Sequence, residues 1–112
     1  MSEKTLAEEI EEKAGGEEIL GAVIGEMGWG EDYNSEDVPK YKEQPKNKLI
    51  PWNKARPLLN YEWYQSYGAP TCNAIYVWTE SWVILVDQYD GATSVIRIPR
   101  NPIDCEPIMP GG

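Results

Sequence analysis

Histidine and phenylalanine are both absent from this 112-residue chain. Without histidine, the commonest general base and the commonest metal ligand are gone together. Without phenylalanine, aromatic bulk falls to five tryptophans and seven tyrosines, side chains with a polar end. Cysteine is scarce, with only Cys72 and Cys105, neither in a CxxC pair, so a zinc site is not expected. Cys72 has no neighbouring cation in sequence to lower its pKa, which argues against a nucleophilic role. No apolar run approaches membrane-spanning length, and the start Met1-Ser-Glu-Lys-Thr5 is acidic, unlike a secretory signal. A cytoplasmic setting and two free thiols are the expectation. Cations are few, ten against nineteen acids, which disfavours direct nucleic-acid binding.

The charge is segmented. Met1–Asp37 holds twelve acids and two bases, Val38–Leu59 six bases and one acid, and Asn60–Gly112 six acids and two bases, giving −10, +5 and −4. Glu8, Glu9, Glu11, Glu12, Glu17, Glu18, Glu31, Asp32, Glu36 and Asp37 make up most of the acidic block. Its natural partner is a basic protein surface, because spaced carboxylates can imitate a phosphate backbone. The lysine-rich stretch from Lys40 to Arg56 can pair with this block or serve as a solvated linker.

Hydrophobic pattern predicts one α+β domain in three parts. Residues 1–27 form an acidic helical segment. Thr5 and Glu8 fit a capping box, Leu6, Ile10 and Ala14 make a thin apolar stripe, and Gly15-Gly16 stop the helix. So thin a stripe predicts weak docking. Glu17–Met27 reads as helix, with strand as the alternative. Residues 28–48 lack periodicity and are expected to be a mobile acidic-to-basic loop. Residues 49–112 are expected to hold an antiparallel meander of three to four strands and a Pro-rich tail. Pro51 and Pro57 limit helix in Leu49–Leu59 to a short turn.

The meander is the firmest expectation. Asn73–Thr79, Trp82–Gln88 and Ala92–Arg100 are strand-like, and Asp90-Gly91 is a strong two-residue hairpin signal. The predicted register sets Val86 opposite Val95, Leu85 opposite Ile96, Val83 opposite Ile98, Val77 opposite Ile84 and Tyr76 opposite Leu85. Trp82-Val-Ile-Leu-Val86 is apolar at consecutive positions, so both sheet faces are greasy and the preceding residues must cover at least one. The Trp82–Ile98 hairpin behind an acidic helical start loosely resembles the uracil-DNA glycosylase inhibitors of phages. No motif residue carries over, and the resemblance assigns no site.

The function expected is a non-enzymatic protein-binding module. Its sharpest form is a small acidic inhibitor of the phage or mobile-element type, aimed at a nucleic-acid-handling enzyme. The alternative is a small-ligand module, binding a sugar, nucleotide or peptide, in which Tyr61, Trp63, Tyr64 and Tyr67 form an aromatic platform. Neither reading needs a cofactor, a metal or a catalytic residue. Asp87 with Asp90, at a hairpin end, is the weaker enzymatic option.

Overall fold

The computed structural model describes residues 4–27, 46–63, 71–89 and 92–110. In chain order the elements are α1 (Leu6–Ala14), β1 (Gly21–Met27), β2 (Leu49–Ile50), α2 (Trp52–Leu59), β3 (Asn73–Trp78), β4 (Trp82–Tyr89) and β5 (Ala92–Pro99). The strands make one antiparallel sheet in the order β2-β1-β3-β4-β5, an α+β fold.

The meander has the register its sequence predicts. Val86 faces Val95, Leu85 faces Ile96, Val83 faces Ile98, Val77 faces Ile84 and Tyr76 faces Leu85. The Glu80-Ser81 link is held at both ends. Thr79 N–H donates to the Trp82 carbonyl at 2.9 Å, and Trp82 N–H donates to the Thr79 hydroxyl at 3.0 Å. Asp90-Gly91 lies outside the described residues, and Tyr89 pairs with Ala92 on either side of it.

Three elements differ from expectation. The helix expected in Glu17–Met27 is instead a strand from Gly21, pairing Ala22 with Val77 and Ile24 with Ile75. Gly21 and Gly25 weaken a helix there, and β-branched Val23 and Ile24 suit a strand that finds a partner far along the chain. With β2 on its outer side, the sheet reaches five strands rather than three or four. Helix in Leu49–Leu59 also outgrows a short turn: α2 runs eight residues from Pro51 at its N-cap and contains Pro57. Pro57 lacks the N–H that would bond Asn53, so this helix relies on packing through buried Ala55 and Leu59. Residues 61–63 are not a strand, residues 64–70 lie outside the description, and so does most of the loop expected at 28–48. Residues 101–110 contain neither helix nor strand, as their prolines predict.

Helix α1 is well seated rather than weakly docked. Thr5 and Glu8 complete the capping box, and Gly15, at φ 64°, ends the helix left-handed. Leu6, Ala7, Ile10 and Ala14 are all buried, because Ala7 widens the stripe. The N-terminal turn is tied further by Leu6 N–H to the Tyr61 carbonyl at 3.0 Å and by the Thr5 hydroxyl to Asn60 Oδ1 at 2.7 Å. α1 packs over β4 and β5, α2 packs against β1, and the helices touch each other. Beneath them lies the core face: Ala22, Ile24, Ile75, Val77, Ile84 and Val95. Ile84 is fully buried at its centre. Ile84→Ala should lower unfolding free energy by about 3 kcal/mol in urea titration, the usual cost of emptying such a site.

Candidate functional site

The acidic residues of α1 fall into two groups once the helix is seated. Glu11 faces α2. Its Oε2 accepts from Arg56 Nε at 2.9 Å and from Trp52 Nε1 at 3.2 Å, and its Oε1 accepts from Arg56 Nη2 at 3.1 Å. This two-pronged guanidinium contact pins the helices together. Hydrogen bonding from Arg56 is the main cause that holds the Glu11 carboxyl below its ordinary range, against a smaller opposing effect of burial.

Glu17 also turns inward, accepting Ser81 N–H at 3.1 Å. Hydrogen bonds from Thr79 and then Ser81 lower its pKa. This ties the segment after α1 to the β3–β4 turn. Glu8, Glu12 and Glu18 are exposed, Glu9 is half-buried, and Glu12 pairs with Lys4. Glu31, Asp32, Glu36 and Asp37 lie outside the described residues.

The described half of the aromatic cluster belongs to the core. Trp63 is 3% exposed and packs in the main cluster, its indole Nε1 without a hydrogen-bond partner. The Tyr61 hydroxyl donates to Asn73 Oδ1 at 2.7 Å and accepts Asn73 N–H at 2.8 Å, while Asn73 Nδ2 donates to the Gly25 carbonyl at 3.0 Å. That chain satisfies buried Asn73 and ties β3, β1 and the segment after α2 together. Tyr64 and Tyr67 lie outside the described residues, as does Asp90, the partner of Asp87 in the enzymatic option.

Cys72 is buried and Cys105 exposed, both as free thiols. Burial pushes the Cys72 pKa up to about 12, which keeps it a thiol at neutral pH. Among the described residues no group of three or more His, Cys, Asp or Glu side chains is arranged to hold a metal. No described helix is long and apolar enough to cross a membrane.

The second greasy face that the β4 run implies is present in the fold. The face turned away from the helices carries three cross-strand rows. Leu49, Val23, Tyr76, Leu85 and Ile96 form the middle row, one residue from each strand. Gly21, Trp78, Val83 and Ile98 form the row on one side. On the other side stand small or polar residues, Ala74 beside Gly25, then Asp87 opposite Ser94. Leu49 is 69% exposed and Tyr76 55%. Beside Tyr76 a hollow of about 330 Å³ opens over Gly25 and Ala74, floored by Val23 and Leu85. At the opposite end Arg100 borders a hollow with Leu20, Leu49 and Trp78, its Nη1 donating to the Thr79 carbonyl at 2.9 Å.

No protein-family model, no curated protein and no solved structure matches this chain.

Two measurements check this geometry. A carboxylate whose folded pKa lies below its ordinary 4.5 adds stability that is complete above pH 4.5. That stability disappears as pH falls through the lowered value. The urea midpoint should therefore drop on acidification below about pH 4.5, and the drop should be shallower in Glu11→Gln, which starts less stable at neutral pH. A disulfide-exchange reagent should titrate one thiol quickly in the native protein, Cys105, and both thiols in denaturant.

Proposed function

We propose that this protein acts by binding another protein rather than by catalysis, presenting carboxylates from α1 to a basic surface. The observation that carries the reading is the seating of α1. Its apolar stripe is buried and Glu11 is clamped by Arg56, so Glu8, which closes the capping box, and Glu12, which pairs with Lys4, stand exposed on a helix held in one orientation. Glu18 follows beyond the Gly15 cap, in a segment tied down through Glu17. Carboxylates held on a fixed element offer a complementary cation cluster a target with little ordering cost. A partner that normally grips phosphates suits such a target, and an inhibitor of a nucleic-acid-handling enzyme is the sharpest form of the reading.

A triple variant, Glu8→Gln, Glu12→Gln and Glu18→Gln, tests it. Glutamine serves the capping box as glutamate does, so α1 keeps its start. A protein held from lysate by the unaltered chain at low salt should be released at high salt. It should bind the triple variant at least ~10-fold more weakly, a loss of about 1.4 kcal/mol or more, by titration with the recovered protein. Affinity unchanged by the triple variant and by salt would overturn the reading.

A further inference from the structure

We propose that the open sheet face, on the side away from α1, is the interface of a symmetric homodimer. An antiparallel sheet with one face in water normally alternates apolar and polar along each strand. Here β4 does not, and the outward rows from Leu49 to Ile96 and from Trp78 to Ile98 are apolar across the sheet. A contiguous apolar surface of this kind on a folded chain marks a contact site.

Three features select a second copy as the occupant. The first is shape. A two-fold axis between two such sheets, perpendicular to the strands and beneath the middle row, sets the middle row on itself. The same operation lays the bulky row of one copy over the small row of the other. Trp78 of each copy then meets the hollow over Gly25 and Ala74 of its mate, whose volume of about 330 Å³ admits an indole. An interface that meets itself needs this pairing of knob with hollow.

The second is charge. Asp87 stands at one end of β4 and Arg100 borders the other end of the face, so the same operation lays Asp87 of each copy over Val83 of its mate, at the end that Arg100 borders. The strongly acidic helix lies behind the sheet. Stacked sheets sit about 10 Å apart and each helix adds a layer of similar depth, putting the two α1 helices roughly 30 Å apart. That is several screening lengths at physiological salt, so the acidity of α1 does not oppose pairing.

The third is size. Five strands about 4.8 Å apart, with three rows of side chains, span a projected face on the order of 400 Å². Side chains standing from that face bring its accessible area toward the ~800 Å² per partner of a standard interface.

Sedimentation equilibrium of the full chain from about 1 to about 100 µM decides the matter, a range that brackets micromolar dissociation. The unaltered protein should populate a dimer within it. Tyr76→Glu puts two like charges at the two-fold axis and should yield a monomer with unchanged far-ultraviolet dichroism, since Tyr76 is already exposed. Asp87→Lys and Arg100→Glu should each weaken the dimer at least tenfold, and the double exchange should restore part of that loss. A monomer at every concentration overturns the proposal and leaves the face to a different protein or to another segment of this chain. A dimer that survives Tyr76→Glu, or an open-ended assembly, overturns it equally.

Discussion

The apolar run of β4 is the constraint from which the rest of the structure follows. Trp82-Val-Ile-Leu-Val86 turns greasy side chains to both faces of a strand that is itself paired on both edges. One face demands a lid, and the helices supply it. α1 covers β4 and β5, α2 covers β1, and the Glu11–Arg56 contact joins the two helices above the sheet. Had β4 alternated apolar with polar, the helices would still have had Ile84 and Val86 to cover, and only the face turned away from them would have lost its apolar side chains.

How much of this was legible beforehand depends on how local each interaction is. The β4–β5 register was readable from the Asp90-Gly91 hairpin signal, whereas Glu80-Ser81 is a poorer turn former at which a one-residue slip would exchange the faces, and the Thr79–Trp82 hydrogen bonds hold that link in register. α1 was readable from Thr5, Glu8 and Gly15, whose capping roles depend only on near neighbours. β1 was not. Val23, Ile24, Gly21 and Gly25 satisfy a helical stripe and a strand almost equally, and the choice rests with Val77 and Ile75, far along the chain. α2 was underestimated for the same reason. Pro57 forbids one hydrogen bond, and only packing of Ala55 and Leu59 outweighs that loss.

The division among the carboxylates was equally hidden. In sequence Glu8, Glu11 and Glu12 are interchangeable members of one charged run. Glu11 is set apart only when α2 brings Arg56 and Trp52 against it, a contact between distant parts of the chain. Trp63 is the reverse case. With Tyr61, Tyr64 and Tyr67 it reads in sequence either as a platform or as cover for the sheet, and the fold closes over its ring and leaves its indole nitrogen unanswered. The open face lay in plain view as two greasy sides of one strand. What sequence lacked was the order β2-β1-β3-β4-β5, which decides which residues line up as rows.

Strand order also governs the sequence of events during synthesis. β1 finds β2 before α2 is made, but its other partner β3 follows α2, and the β4–β5 floor beneath α1 comes later still. α1 therefore has no floor to cover until β4 and β5 are made, and such non-local closure slows folding. The twelve acids against two bases in Met1–Asp37 make like segments repel one another over that interval.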